Sequence, residues 1–243
     1  MSEKKIAGLF NNIARKYDFL NHFLSAGLDI YWRHRLARLL PAQPAPLCID
    51  VAAGTMDVSL ALQKHLSWQR PRIFACDFSW NMLQQGKKKN IFPNLLPILG
   101  DGTNLPFPPN CADILTIAFG LRNIPKRKQF YAESLRVLKP GGKLYILEFG
   151  GASKAIWKGI YNFYLRWILP ALGQMFSHDP GAYRYLADTI HSFPLARELA
   201  TEIHAAGFEQ VGCFPMTDGI VWIHTASKPK APGASILDVC PDK

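Results

Sequence analysis

The feature that most constrains this chain is an alternation of short apolar runs with longer amphipathic segments across its central part. The runs have the length of strands, and the segments between them repeat their apolar residues at helical spacing. We place strands at 46–52, 72–77, 95–99, 112–118 and 142–149, and helices at about 56–66, 80–89 and 127–138. Strand–helix alternation with right-handed crossovers builds a mostly parallel sheet with helices on both faces. The expected fold class is therefore α/β.

Other segments flank this alternating core. A helical segment is expected over 1–42, where "DIYWRHRLARLL" places Ile30, Arg33 and Leu36–Ala37 at helical spacing with a basic face opposite. "KPGG" at 139–142 predicts a turn before the fifth strand. Residues 153–193 are rich in Tyr and Trp and do not fit the alternation. We interpret them as a helical insertion that covers the functional site.

The C-terminal part predicts a helix followed by a hairpin. "FPLARELATEIHAAGF" (193–208) has helical spacing, while "EQVGCFPM" and "GIVWIHTASKP" are typical of two strands. These two strands bring the expected sheet to seven. A chain of 243 residues fits one such domain, which we place over 1–230, with a flexible tail over 231–243.

Composition excludes several classes of protein. Hydrophobic residues make up 49% and charged residues 19%, which excludes a disordered chain. No two cysteines have a CxxC spacing, so we expect a reducing compartment with neither a zinc site nor a disulfide framework; the five are Cys48, Cys76, Cys111, Cys213 and Cys240. The start "MSEKKIAGLFNN" lacks an apolar signal core, and "WILPALGQMF" is too short to span a bilayer. A cytoplasmic protein is expected.

Polar residues gather where the predicted strands end. The first strand ends in Asp50 and a loop of small residues that includes Ala53, Gly54 and Thr55, and the next two end in Asp77 and in Asp101–Gly102. In a parallel sheet the ligand lies at these carboxyl ends. Three carboxylates would repel a pyrophosphate, and the chain has neither a GxGxxG nor a P-loop pattern.

This chemistry favours S-adenosylmethionine, a ligand with hydroxyls, amines and positive charge. Asp77 would accept hydrogen bonds from both ribose hydroxyls, and Asp101 would lie near the adenine amine. The small residues at 52–54 would let the backbone approach the methionine part. The alternative is that the acids are ordinary caps of strand ends, and the spacing alone leaves it open for each acid taken singly.

From about Phe10 to Lys228 the chain resembles the ubiquinone/menaquinone biosynthesis C-methyltransferases, the UbiE/Coq family. The resemblance rests on "FNNIARKYDFLNHFLSAGLDIYWR", "GDGTNLPFP", "TIAFGLRNIPKR", "RVLKPGGKLYILEF", "DPGAYRYLADTIHSFP" and "TDGIVWIHTASKP". "LPFP" and "RVLKPGG" occur in many methyltransferases, whereas "FGLRN" together with "AYRYL…SFP" is specific. The resemblance implies a class I, Rossmann-like methyltransferase fold.

The resemblance also implies an activity: methylation of a ring carbon of a prenylated quinol, with S-adenosylmethionine as donor and without a metal. Matching motif positions carry cofactor contacts onto Thr55, Asp77, Asp101 and Gly102. Two positions depart from the family pattern. Ala118 stands where the family often has serine, and Met56 stands where its loop favours glycine.

Arg122 and Asn123 in "FGLRN" are the expected catalytic residues. The acceptor carbon becomes nucleophilic when the neighbouring hydroxyl ionises, and an arginine can stabilise that phenolate or orient a water that removes the proton. The spacing equally allows a structural salt bridge at Arg122. His178 and His224 rank lower as bases, because a lone histidine is usually a packing residue. Candidate lid residues are Tyr17, Asp18, Asn21, Tyr183, Arg184 and Tyr185.

The expected partner is a prenylated quinol. The net charge of +10 and the run "KGIYNFYLRWILP" favour transient contact with an anionic membrane surface at its inner face, although a helix packed on the core explains the run equally well. No nucleic acid is expected, and a homodimer is left open.

Two alternatives remain: a class I methyltransferase acting on another small phenol or RNA, and a scaffold that has lost catalysis. The scaffold rests on Met56 alone, for which we predict a negative φ and a side chain pointing out of the loop.

Overall fold

Seven strands form a single sheet in the part of the chain that the structure describes. The structure is a computed structural model, and it describes residues 22, 25–150 and 188–230. The strands are Leu47–Val51 (β1), Arg72–Asp77 (β2), Leu95–Leu99 (β3), Ala112–Ala118 (β4), Leu138–Phe149 (β5), Glu209–Met216 (β6) and Val221–Ser227 (β7). Their order across the sheet is β3-β2-β1-β4-β5-β7-β6. The predicted seven-stranded α/β fold is confirmed.

The pairing of β1 creates the crevice of this fold. β1 pairs in parallel with β2 on one side and with β4 on the other. β3 and β5 extend the two halves in parallel, and β7 runs antiparallel between β5 and β6. Because the strand order reverses at β1, the connections that leave β1 and β4 diverge and open a crevice at their carboxyl ends.

Helices cover both faces of the sheet. They are Leu28–Arg38 (α1), Asp57–His65 (α2), Trp80–Lys89 (α3), Arg127–Val137 (α4) and Ala196–Ala205 (α5). One apolar core lies between the sheet and α1, α2 and α3, and a second lies between the sheet and α4 and α5. Within β1, Cys48 faces the first core and Ile49 the second. A central parallel strand is buried on both sides, which explains its nearly continuous apolar sequence.

Local signals set where helices begin. The Ser79 hydroxyl accepts a hydrogen bond of 3.3 Å from the Met82 amide, which caps α3. The Glu198 carboxylate accepts one of 2.9 Å from the Leu195 amide and holds the first turn of α5. These interactions satisfy amides that a helix leaves without a partner at its N-terminus.

The expected start of β5 is wrong, and the expected buried face of α1 is right except at Ile30. β5 begins at Leu138 rather than at 142, and "KPGG" lies inside it as an irregularity where the register with β4 shifts after Ala112. On α1 the buried positions are Asp29, Trp32, Arg33, Leu36 and Ala37, whereas Ile30 is 45% exposed. The reason is that α1 buries a mixed polar and apolar stripe, which an apolar pattern does not identify.

Other expectations lie partly or wholly outside the described residues. The helix expected at 193–208 is observed as α5, over the shorter span Ala196–Ala205. Of the insertion expected at 153–193, only 188–193 is described, and 188–191 is helical. The segment at 1–21 and the tail at 231–243 lie outside the described residues, so the domain limits stay predictions.

The cysteines do not all follow expectation. Cys48, Cys76 and Cys111 are free thiols, as expected, whereas Cys213 is disulfide-bonded, which the sequence did not predict. Spacing in sequence carries no information on a pairing made by the fold. Within the described ranges, no helix is both long and apolar enough to cross a bilayer.

Trp32 fastens α1 to the rest of the protein. Its indole N–H donates a 2.8 Å hydrogen bond to the Thr217 hydroxyl, between β6 and β7. Its ring lies 5.9 Å from the ring of Phe119 and 6.4 Å from that of Phe149, measured between centroids. Phe119 follows β4 and Phe149 ends β5. One side chain therefore joins the N-terminal helix to the edge of the sheet where the crevice opens.

We predict that Trp32→Phe lowers the free energy of unfolding by ~1–2 kcal/mol. The change removes one buried hydrogen bond, leaves the Thr217 hydroxyl without its partner and opens a small cavity. Urea denaturation measures the effect. Tyr31→Phe is the matched control, because Tyr31 is 52% exposed and should change stability by less than ~0.5 kcal/mol. Equal losses in the two variants would contradict this role of Trp32.

Candidate active site

A pocket opens at the carboxyl ends of β1 and β4, where the strand order reverses. Six predicted site residues line it, together with four that were not predicted. The predicted ones are Asp50, Ala52, Ala53, Gly54, Thr55 and Ala118. The others are Arg33, Asp57, Val58 and Phe119. Asp77, Asp101 and Gly102 lie at the neighbouring strand ends and outside this lining.

Asp50 anchors the floor of the pocket. Its side chain is buried, and its two oxygens accept hydrogen bonds of 2.6 Å from the Ser59 hydroxyl and 2.7 Å from the Thr116 hydroxyl. Burial raises the pKa of Asp50 to about 6, although these two donors lower it. Since Ser59 belongs to α2 and Thr116 to β4, this carboxylate joins three elements below the pocket.

The loop between β1 and α2 has an unusual backbone. Ala52 has φ 52°, Gly54 has φ 54° and Met56 has φ 67°, and Phe119 across the pocket has φ 54°. Residues other than glycine adopt this left-handed conformation at a cost of about 1–3 kcal/mol each, and such strain concentrates at functional sites. A Cβ at Gly120 would lie 2.5 Å from the Ala52 Cβ. Glycine at 120 therefore lets the chain leaving β4 pass close to this loop.

Met56 does not have the predicted negative φ. It is the residue that precedes the first turn of α2, with φ 67° and ψ 18°. Its side chain is fully buried in the core beneath α2 and α3, and it is not among the residues that line the pocket. A Cβ at Gly86 of α3 would lie 2.6 Å from the Met56 Cγ and 2.7 Å from its Sδ. The missing side chain at Gly86 thus provides the space that Met56 fills.

Asp77 ends β2 and organises the turn beside it. One oxygen accepts a 2.8 Å hydrogen bond from the Gly54 amide, and the other accepts one of 2.8 Å from the Ser79 amide. Burial raises the pKa of Asp77 to about 6, against the lowering effect of these two amides. Each oxygen keeps a second lone pair for another donor. Asp77 therefore holds the loop and leaves one acceptor position unused by these two amides on each oxygen.

Asp101 and Gly102 follow β3. The Asp101 carboxylate accepts hydrogen bonds from the Thr103 amide at 2.8 Å and from the Thr103 hydroxyl at 2.9 Å, and its side chain is exposed. A Cβ at Gly102 would lie 3.0 Å from a Val51 methyl group and 3.2 Å from the Ile124 Cδ1. Close packing at Gly102 brings the end of β3 against the end of β1.

Arg122 forms the buried salt bridge that the sequence left open as an alternative. Its Nη1 lies 2.7 Å from the Glu148 Oε1, with the side chains 6% and 0% exposed. Its guanidinium carbon lies 6.0 Å from the ring centroid of Phe119 and 5.4 Å from that of Phe149. Its Nε is buried and has no hydrogen-bond partner in the described chain. Asn123 follows it in the short 3-10 helix Leu121–Asn123.

His224 is not placed to act as a base in this crevice. It lies within β7, is buried, and its Nε2 is 2.8 Å from the Ala196 carbonyl oxygen. Burial lowers its pKa to about 4. A neutral, hydrogen-bonded imidazole in the core is a packing residue. His178 and the candidate lid residues at 17, 18, 21 and 183–185 lie outside the described residues.

Sequence reasoning did not identify Arg33 and Asp57 as site residues. Arg33 extends from α1 into the pocket wall, where its Nη1 pairs with Asp29 and lies 3.3 Å from the Asp57 Oδ2. Asp57 also pairs with Lys89 of α3, at 2.5 Å. One signal was available: Arg33 lies at the helical spacing of the apolar residues on α1, and a charge at a core-facing position needs a partner.

Comparison with known proteins agrees with this geometry. A model of the ubiE/COQ5 methyltransferase family matches residues 1–228. A demethylmenaquinone methyltransferase of Corynebacterium kroppenstedtii is 39% identical over 228 residues, covering 93% of this chain and 96% of that protein. A ubiquinone/menaquinone biosynthesis C-methyltransferase of Shewanella piezotolerans is 37% identical over 227 residues, covering 92% and 90%.

Solved structures share the fold. A SAM-dependent methyltransferase from Thermotoga maritima superposes with a TM-score of 0.65 at 15% identity, covering 91% of this chain and 98% of that chain. One from Aquifex aeolicus gives a TM-score of 0.59 at 16% identity, covering 80% and 88%. At such identities the likeness concerns the fold alone, which is that of a class I methyltransferase.

We predict that Met56→Gly lowers the free energy of unfolding by ~1–3 kcal/mol. Loss of a buried methionine side chain costs ~2–5 kcal/mol, and relief of the left-handed φ offsets ~1–2 kcal/mol of that. Chemical denaturation measures the net effect, and ligand affinity should stay within a few-fold because the side chain is not part of the pocket lining. The protein should be destabilised mainly because the buried Met56 side chain is lost, and less because glycine adds conformational entropy to the unfolded chain.

A double-mutant cycle with Gly86→Ala tests the same contact. Gly86→Ala alone should destabilise the protein by ~1–3 kcal/mol through overpacking against Met56. In the Met56→Gly background that loss should shrink, although the Thr55 carbonyl oxygen, 2.7 Å from the added Cβ, keeps part of it. Strictly additive losses would show that the two positions do not contact each other.

Proposed function

Because the chain belongs to the ubiE/COQ5 methyltransferase family, we propose that it methylates a ring carbon of a prenylated quinol with S-adenosylmethionine as donor. The relatives named as demethylmenaquinone methyltransferases make demethylmenaquinol the first candidate acceptor. The single observation that carries the proposal is the arrangement of carboxylates and a strained small-residue loop around the β1/β4 crevice. Such an arrangement accepts hydroxyl, amine and sulfonium groups.

The residues present fit this donor molecule. Asp77 has free lone pairs for ribose hydroxyls, and the exposed Asp101 has them for an amine. The backbone of Ala53–Gly54 is open to the pocket without bulky side chains. When bound, S-adenosylmethionine supplies an electrophilic methyl group on a sulfonium. Met56 lies outside the pocket lining, which removes the only support for a scaffold that has lost catalysis.

Arg122 is the residue that we assign to the acceptor. A quinol hydroxyl has a pKa near 10, about that of tyrosine, so ionisation at neutral pH needs a stabilising charge. The guanidinium lies beside the carboxyl end of β4, fixed by Glu148 and two phenylalanine rings, with Nε free of partners in the described chain. A donor fixed in advance in a low-dielectric setting stabilises developing negative charge strongly. Asn123, next to it, would hydrogen-bond the same oxygen.

The proposed acceptor also requires access to a membrane. A prenylated quinol resides in the bilayer, and the chain carries a net charge of +10. Anionic lipid attracts such a charge. We propose peripheral contact of a cytoplasmic enzyme with the inner face of the membrane.

Addition of anionic vesicles should raise turnover of a long-chain quinol, and neutral vesicles should not.

We predict that affinity for S-adenosylhomocysteine falls as the pH drops through about 6. Asp77 has a raised pKa of about 6, so it is ionised at pH 7.5 and accepts all its hydrogen bonds. Below pH 6 a proton occupies one acceptor site, and the affinity declines toward a limit of ~tenfold per pH unit. Titration calorimetry at pH 7.5 and pH 5 measures this dependence.

Asp77→Asn separates Asp77 from Asp50, whose pKa is also raised to about 6. Asparagine cannot accept hydrogen bonds at both positions, so the variant should bind ~10- to 100-fold more weakly at pH 7.5. Any pH dependence that it retains then belongs to Asp50. A wild-type affinity that is constant from pH 7.5 to pH 5 would contradict a ligand contact at Asp77.

We predict that loss of Arg122 lowers kcat by ~10²–10³ and leaves cofactor affinity unchanged. Arg122→Ala alone would leave the fully buried Glu148 without its cation, which destabilises the protein. The informative variant is therefore Arg122→Ala with Glu148→Gln, which removes both charges. Arg122→Lys keeps the charge without the planar fork and should retain part of the activity.

Steady-state kinetics and a thermal melt test Arg122 together. Glu148→Gln alone is the matched control, since it breaks the same ion pair and keeps the guanidinium. A folded double variant whose kcat lies within a few-fold of the wild-type value would reduce Arg122 to a structural residue.

A further inference from the structure

Arg33 brings a cation into the wall of the β1/β4 pocket. Its side chain is only 9% exposed, and it is the one cationic side chain among the described residues that line the pocket. It comes from α1, which precedes the sheet in sequence. The same helix is fixed over the crevice by Trp32. The fold therefore fixes the position of the guanidinium, unlike that of an arginine on the surface.

The contacts of Arg33 leave most of its donors available. In the described chain its hydrogen bond and both ion pairs start from Nη1, which meets Asp29 and Asp57. A guanidinium carries five N–H donors, so the three on Nε and Nη2 have no partner there. Lys89 also pairs with Asp57, and these two cations and two carboxylates balance in charge. Because these charges cancel, the two carboxylates do not prevent an anion from binding at this wall.

The remaining walls complement the two ends of an amino acid. α2 begins beside Arg33 with Asp57 and Val58 in the lining, and the start of a helix presents free amides and a positive dipole end. At the floor of the pocket, Asp50 contributes a buried carboxylate to the same lining. The wall at Arg33 therefore favours a carboxylate, and the floor at Asp50 favours an ammonium group.

We propose that Arg33 binds the α-carboxylate of the methionine part of the cofactor, with Asp50 facing its ammonium group. The assignment rests on the proposed use of S-adenosylmethionine and adds the residue that recognises its amino-acid end. Arg33 holds this end of the ligand while Asp77 and Asp101 serve the nucleoside end. The long axis of the ligand then runs along the carboxyl edge of β1, β2 and β3.

A ligand pair that differs by one group tests the contact directly. S-adenosylhomocysteine carries the carboxylate, and S-adenosyl-3-thiopropylamine is the same thioether without it. Wild type should bind the first ~10- to 100-fold more tightly, as expected for a charge-assisted hydrogen bond. Arg33→Gln should reduce that preference to within about threefold by weakening only S-adenosylhomocysteine. Titration calorimetry gives all four dissociation constants.

Two further variants keep the experiment decisive. Arg35→Gln makes the same charge change at an exposed position of α1 and should keep the wild-type preference. Arg33→Lys preserves a cation beside Asp29 and Asp57, so it replaces Arg33→Gln if that variant melts below the assay temperature. Arg33→Lys should give an intermediate preference for S-adenosylhomocysteine. An unchanged preference in Arg33→Gln or Arg33→Lys, or an equal loss for both ligands, overturns the role of Arg33. Failure of wild type to bind either ligand overturns the cofactor assignment itself.

Discussion

The geometry of the crevice depends on one buried carboxylate. Asp50 is held by a hydroxyl from α2 and a hydroxyl from β4, at 2.6 and 2.7 Å. A lone ionised carboxylate in the core would be costly, and two donors reduce that cost without removing it, since the pKa still rises to about 6. The result is a fixed junction of β1, β4 and α2 directly below the loop that turns away from β1. An apolar side chain would fill the same volume but would not hold these elements in one register.

Strain in the loop follows from that junction. The chain must leave β1, pass Gly120 and start α2 within a few residues, and it does so with positive φ at Ala52, Gly54 and Met56. Asp77 holds this conformation through the Gly54 amide. The position of Met56 also explains how a residue larger than glycine fits there. Its side chain leaves the loop for the core, where Gly86 of α3 leaves room. The identity of one loop residue is thus coupled to a position thirty residues later in sequence.

Periodicity in the sequence predicted the elements well because it reflects burial on one or two faces. β2, β3 and β4 are observed at the predicted limits, and the helices of the core differ by a residue or two at their ends. The failures have a different physical origin. Met56 favours a helical φ locally, but the loop geometry imposed by Asp77 overrides that preference. The roles of Arg33, Ser59 and Thr116 depend on contacts between distant segments, which a linear pattern does not encode.

The Arg122–Glu148 pair shows why a structural role and a catalytic role need not exclude each other. An isolated guanidinium facing an apolar quinol would be drawn toward water, away from the position where charge develops. A fully buried carboxylate at 2.7 Å and two aromatic rings hold it at the edge of the sheet instead. Folding the protein thus completes the desolvation and orientation of the arginine before any ligand enters. The Arg122 Nε–H, which has no partner in the described chain, would then donate a hydrogen bond to the developing phenolate. In this view the salt bridge is the device that makes the proposed electrostatic role feasible, because it fixes the donor without satisfying all of it.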